Sequence, residues 1–244
     1  MARDRNAALI VIGNEILSGK VVDTNSTFLA QQLRAAGVSL QRILVVPDDV
    51  ETIAGAIRAY QPAYDVVFTS GGVGPTHDDV TIAGVARGLG RRVVRHPILE
   101  SKLREFFGSG INEARLKMAE VVEGTELVLE GNLSFPTLQV LNIYVLPGIP
   151  EIFREKLQAM CQRLAVDPFH VRVIYACEPE SAIAVFLNRT VECFPELILG
   201  SYPKLNDPEY RVRITLESKD RNYVERAFGA LLAMLPPSAV VRTE

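Results

Sequence analysis

The residues best placed to do chemistry run Thr69-Ser70-Gly71-Gly72-Val73-Gly74-Pro75-Thr76-His77-Asp78-Asp79-Val80-Thr81. Three glycines in four positions let backbone N–H groups approach an anion closely, and a helix starting just beyond adds partial positive charge. Phosphate is the natural guest, so Ser70, Gly71, Gly72, Val73, Gly74, Thr76 and Thr81 are expected to form its cradle. Asp78 and Asp79 would repel that guest unless a divalent cation sat between them. Hard carboxylate oxygens hold Mg²⁺, Mn²⁺ or Co²⁺ and share it with phosphate. Neighbouring helical side chains diverge by about 100°, so Asp79 is expected as the direct ligand and Asp78 as its support or as a cap. His77 stands beside them as a ligand, a proton shuttle or neither. Read more blandly, the segment is a tight turn whose acids complement a helix dipole, which leaves the glycines and Pro75-Thr76 unexplained.

Two further loops carry weaker signals. In Gly13-Asn14-Glu15-Ile16-Leu17-Ser18-Gly19, Glu15 can supply a carboxylate to the metal or polarise a water. The following Asp23-Thr24-Asn25 reads as a capping cluster, with Asn25 as cap and ligand contact. Leu146-Pro147-Gly148-Ile149-Pro150-Glu151 leaves a strand for a helix, placing Pro147 and Gly148 near the same guest.

The elements that must position these loops follow from periodicity. Strands are expected at 9–12, 42–46, 65–69, 126–129 and 139–146. Helices are expected at 25–36, 50–60, 76–89, 97–107, 112–119 and from Pro150 through Leu164. Such alternation calls for a three-layer α/β domain with a mostly parallel sheet, whose ligands lie beyond the carboxyl ends of the strands. The loops after Ile12, Thr69 and Leu146 should meet there. Near Val166-Asp167-Pro168 the pattern changes to strand 171–177, helix 181–193, strands 197–202 and 210–217, helix 221–235 and strand 239–241. That is the βαββαβ order of a ferredoxin-like α+β domain, giving domains 1–166 and 167–244. Within the second, Gly200-Ser201-Tyr202-Pro203-Lys204 reads as a hairpin connection rather than a site, and Arg211 and Arg213 as a solvated strand face, with contact to an anion as the lesser alternative.

Composition excludes several classes. The 244 residues are 48% hydrophobic and 23% charged, with 26 Lys+Arg against 29 Asp+Glu. This is the mix of a globular protein rather than a dedicated polyanion binder. Residues 168–244 contain only Gly200 and Gly229 and so lack the G-X-X-G loop of a KH clamp; no nucleic-acid partner is expected. Cys161, Cys177 and Cys193 are too few and scattered for a disulfide framework, which fits a reduced, cytoplasmic setting. No apolar run is long enough for a membrane span, and the run Ala7–Ile12 is too short for a signal-peptide core.

These stretches resemble the MoaB/Mog-type molybdopterin-binding fold, above all the amino-terminal domain of CinA proteins and the molybdopterin-binding-like domain of eukaryotic FAD synthases. The matching segments are Gly13–Asn25, Ser70–Thr81 and Leu146–Pro150, with support from Asn112–Ala119 and Gly200–Leu216. The resemblance implies hydrolysis of a nucleotide pyrophosphate, ADP-ribose or FAD, with a divalent metal, a response to potassium, and assembly into a homo-oligomer. It also leaves room for a non-catalytic pterin- or nucleotide-binding module. CinA-type sequences usually carry an acid where this chain has Asn14, and Gly-Thr-Ala-Pro-Gly where it has Asn132-Leu133-Ser134-Phe135-Pro136-Thr137. Those departures, with His77 and Gly200-Ser201-Tyr202-Pro203, lean toward the FAD-synthase type. The resemblance extends neither to the amidohydrolase of CinA nor to the adenylyltransferase half of FAD synthase.

Overall fold

A computed structural model describes residues 5–129 and 135–244. The chain divides into two compact units, residues 1–166 and 167–244.

The first unit is built on a six-stranded sheet. Its strands are β1 (Asn6–Ile12), β2 (Ser39–Val46), β3 (Val66–Ser70), β6 (Glu126–Val128), β7 (Thr137–Val140) and β8 (Ile143–Leu146), in the order β2-β1-β3-β8-β7-β6. β2, β1, β3 and β8 run parallel, while β7 pairs antiparallel with β8 and β6 antiparallel with β7. Alternate residues of β1 serve opposite cores. Leu9 and Val11 pack with α2 (Asn25–Ala35) and α7 (Pro150–Leu164), whereas Ile10 and Ile12 pack with α3 (Val50–Tyr60) and α4 (Thr81–Leu89). Both faces are therefore dry, which is why β1 and β3 read as unbroken apolar runs rather than alternating ones.

The expected strand 139–146 is instead a hairpin. β7 ends at Val140, β8 starts at Ile143, and Val140 pairs with Ile143 across a two-residue turn. Leu141 makes the turn at φ 54°, a conformation usually left to glycine or asparagine, so no sequence signal marked it. A small sheet of β4 (Val93–Arg95) and β5 (Glu120–Val122) was also unforeseen. It frames α5 (Pro97–Phe107) and α6 (Glu113–Lys117).

Lys156 of α7 is buried, and its Nζ donates to the carbonyls of Phe135 and Pro136, both at 2.8 Å. Burial pushes the ammonium down to about 8 from 10.5. The unfolded chain therefore binds more protons than the folded one between those values, and stability should rise with pH across that window. Melting curves from pH 7 to 10 are expected to show this rise in the wild type and not in Lys156→Met.

The second unit is a four-stranded antiparallel sheet ordered β10-β11-β9-β12, formed by β9 (His170–Ala176), β10 (Ile198–Pro203), β11 (Val212–Ser218) and β12 (Val240–Thr243). α8 (Glu180–Cys193) and α9 (Arg221–Met234) pack with Ile174, Ala176, Val212, Ile214 and Leu216. This is the ferredoxin-like βαββαβ arrangement.

Candidate functional site

β1, β3 and β8 are neighbours and parallel, so the turns leaving them gather at one sheet edge. One side chain clasps them together. Asn25 is the first residue of α2, and its amide donates to Ser70 Oγ (3.2 Å) and to the Gly148 carbonyl (2.9 Å). The cap expected from Asn25 is made instead by Asp23, which accepts from the Ser26 N–H at 3.0 Å and from the Ser26 hydroxyl. Asn25 Oδ1 is buried without a partner among the described residues.

The glycine turn is held from below. Gly71 has φ 101°, and a Cβ there would run into the Ile12 carbonyl oxygen. Gly72 has φ 63°, and its missing side chain leaves room for the Thr81 hydroxyl. Thr81 is fully buried; its hydroxyl donates to the Gly71 carbonyl (2.8 Å) and its N–H to the Gly72 carbonyl (3.0 Å). Thr81 thus shapes the turn rather than facing a ligand, which corrects its placement in the cradle. The Gly71 N–H is also spent, on the Leu146 carbonyl at 3.2 Å. Among the described residues, the N–H groups of Gly72, Val73 and Gly74 have no backbone acceptor. The cradle therefore narrows to these three donors.

The acids sit differently from expectation. α4 begins at Thr81 rather than Thr76, so Asp78 and Asp79 precede the helix. The reason is local: Asp79 Oδ2 accepts from the Thr76 N–H (2.7 Å) and hydroxyl, closing a turn that competes with helix. The Asp79 carboxylate nevertheless faces the cradle, since a Cβ on Gly74 would fall 2.7 Å from its Oδ2. Asp79 lines a cavity of about 200 Å³ with Gly72, Val73, Gly74 and Lys117. Asp78 lies outside that lining. The Thr76 hydroxyl, which Asp78 shares with Asp79, and then its own backbone N–H hold Asp78 below the usual carboxylate range. His77 points into solvent, its Nδ1 3.9 Å from Asp78 Oδ1.

Lys117 went unnoticed in the sequence, where 112–119 read only as a helix. Asn112 caps α6 by accepting from the Arg115 N–H (2.9 Å), and the helix delivers Lys117 Nζ to the Thr76 carbonyl. A cation thus tethers the acidic loop beside the glycine turn. Its basic place in the last turn of a capped segment was the one available hint.

Glu15 belongs to the short helix α1 (Asn14–Leu17), started by the Asn14 N–H bond to Asp48 Oδ2 at 2.8 Å. Its carboxylate folds back over Gly13 and lines a second cavity of about 100 Å³ with Asp23, Asn25, Ser70, Gly71 and Gly148. Pro147 is not among those lining residues. Two cavities therefore flank one turn, Glu15 on one side and Asp79 with Lys117 on the other.

Among the described residues, no group of three or more His, Cys, Asp or Glu side chains is assembled to hold a metal ion. The carboxylates that line the Asp79 cavity are Asp79 and Glu120, with Asp78 outside it. They do not fit a cage made by protein alone.

The crossed layers, the parallel sheet and the glycine turn at its carboxyl edge define an α/β domain of the molybdopterin-binding type. Residues 8–166 match the family described as probable molybdopterin binding domain, and the chain belongs to that family. Residues 168–244 match a second family, FAD synthase, middle domain. A protein of Archaeoglobus fulgidus is 34% identical, covering 90% of this chain and 93% of its own length. A probable FAD synthase of Caenorhabditis elegans is 32% identical over 96% of this chain, which spans 51% of that relative. A CinA-like protein of Desulfosudis oleivorans is 32% identical, covering 62% of this chain and 38% of its own. Among solved structures, the protein CinA of Thermoplasma acidophilum aligns with TM-score 0.60 and 32% identity, covering 66% of this chain and 98% of that one. No helix among the described residues is long and apolar enough to cross a membrane.

Proposed function

We propose that the chain hydrolyses a nucleotide pyrophosphate, ADP-ribose or FAD, to two monophosphates with the help of a divalent cation. The observation that carries this reading is the set of unengaged N–H groups at Gly72, Val73 and Gly74, opening beside Asp79 and Lys117. Oriented backbone donors and a cation balance charge on the bridging phosphates without reorganising during reaction. Asp79, supported by Asp78, would hold the divalent ion, which when bound supplies Lewis-acid polarisation of phosphate oxygens. Glu15, from the β1 side, accepts the proton of the attacking water. The water oxygen bonds to one phosphorus, the bond from that phosphorus to the bridging oxygen breaks, and the bridging oxygen leaves on the other phosphate. ADP-ribose would give AMP and ribose 5-phosphate; FAD would give AMP and FMN.

Purified folded chain incubated with ADP-ribose or FAD and Mg²⁺, Mn²⁺ or Co²⁺, with and without K⁺, is expected to release AMP. Chelation by EDTA should stop the release. Absence of AMP with every metal would remove the catalytic reading. A second reading, a binding module for a phosphorylated pterin or nucleotide, is supported by the same open N–H groups of Gly72, Val73 and Gly74, which bind whether or not chemistry follows. In that case Asp79→Ala would change affinity with no turnover to lose.

A further inference from the structure

The cavity beside Asp79 offers more than phosphate chemistry requires. Val73, Ile82, Ala83, Met118 and Leu138 contribute to its walls, and its volume is about 200 Å³. Phosphate and a hydrated cation gain nothing from such walls, which shed their water only when another apolar surface covers them. Glu120 also lines this cavity. It begins β5, and alternation along the strand puts its side chain on the face of Val122. Val122 packs in the same core as Val73, Ile82 and Leu138, so Glu120 is directed toward those walls. Arg95 stands directly across the ladder, yet its guanidinium goes to Glu113 Oε2 at 3.1 Å. The Glu120 carboxylate is partly buried and has no hydrogen-bond or ion-pair partner among the described residues.

A cavity of this size falls below the roughly 300–1,000 Å³ that encloses a drug-sized ligand, so it takes one ring of a dinucleotide rather than the whole. A flat ring covers the apolar walls, and the Met118 thioether packs well against it. An amine on the ring edge supplies the donor that an ionised carboxylate lacks. We propose that this cavity binds the adenine ring of the substrate's AMP half, its 6-amino group donating to Glu120 and its phosphate lying at the N–H groups of Gly72, Val73 and Gly74. The choice of ring rests on the proposed pyrophosphate substrates, since ADP-ribose and FAD share that half. Glu120 then selects the substrate and takes no part in breaking its bonds.

Titration calorimetry of the full chain with AMP and with purine riboside 5′-monophosphate, which lacks only the amine, isolates the contact. AMP is expected to bind the wild type about tenfold more tightly, the scale of one hydrogen bond to a charged group. Glu120→Ala should bring AMP down to the affinity of the analogue and leave the analogue's own affinity unchanged; a merely structural loss would weaken both alike. Equal binding of the two nucleotides to the wild type, or none of AMP at millimolar concentration, overturns the proposal without recourse to the variant. A loss shared by both nucleotides in Glu120→Ala overturns it too. So does tighter binding of GMP, whose N1–H and 2-amino edge would then be what the carboxylate reads. If Glu120→Ala leaves both affinities unchanged and raises the Mg²⁺ needed for AMP release, Glu120 is a metal ligand and the proposal falls. The hydrolytic reading fails separately: a preference for AMP with no AMP released from ADP-ribose by any metal would leave the ring site standing without the catalysis.

Discussion

Asp79→Asn is expected to lower turnover of a nucleotide pyrophosphate by about 10²–10³-fold, the scale of removing one preorganised electrostatic partner. The substitution separates two roles of one side chain. The oxygen that accepts from the Thr76 N–H and hydroxyl survives in the amide, so the turn over residues 76–79 should persist. The negative charge facing Gly74 does not survive. Activity should therefore fall while the melting temperature stays close to wild type. Asp78→Asn supplies the comparison: Asp78 is exposed and outside the cavity lining, and its loss should reduce turnover no more than about tenfold. Steady-state AMP release across a metal titration reads both variants. Equal losses at the two positions, or none at Asp79, would place the cation elsewhere.

Gly71→Ala should act through folding instead. At φ 101° an alanine pays backbone strain of about 1–3 kcal/mol, and its methyl meets the Ile12 carbonyl, which β1 cannot move cheaply. Thr81 and Leu146 both bond to this residue, so displacement would spread to the cradle and to β8. A total loss of about 3 kcal/mol or more is expected, lowering the calorimetric transition of the first unit by roughly 10 °C. Gly19→Ala is the contrast. Gly19 also has positive φ, but a Cβ there meets nothing, so only the strain remains. If Gly71→Ala melted no lower than Gly19→Ala, the close approach to Ile12 would not be the constraint.

How far the residues announced this arrangement depends on whether each cue was local. The parallel sheet was legible because β1, β3 and the helices between them are long and regularly patterned. The edge where the loops meet followed from handedness and strand direction alone. The hairpin of β7 and β8 was hidden because Leu141-Asn142 carries no glycine or proline, and its apolar flanks read as one strand. The start of α4 was misplaced for a physical reason. Pro75 and two acids look like a first helical turn, but Asp79 spends its carboxylate on Thr76 and postpones the helix to Thr81. Asp79, Glu15 and the glycines were visible as a pattern; which N–H groups were free was not, because Gly71 is engaged by Leu146, 75 residues downstream. Lys117 depends on a small sheet of three-residue strands, too short to leave a periodic trace. Residues 132–134, part of the departure from the CinA pattern, lie outside the described residues.

The Asn25 amide has two hydrogens, and it commits one to Ser70 and the other to Gly148. The width of the cleft over the glycine turn is therefore governed by a group that is also part of the folded scaffold. Neither loop can drift in evolution without releasing the other, and a redesign aimed at a bulkier guest would have to begin by replacing this tie.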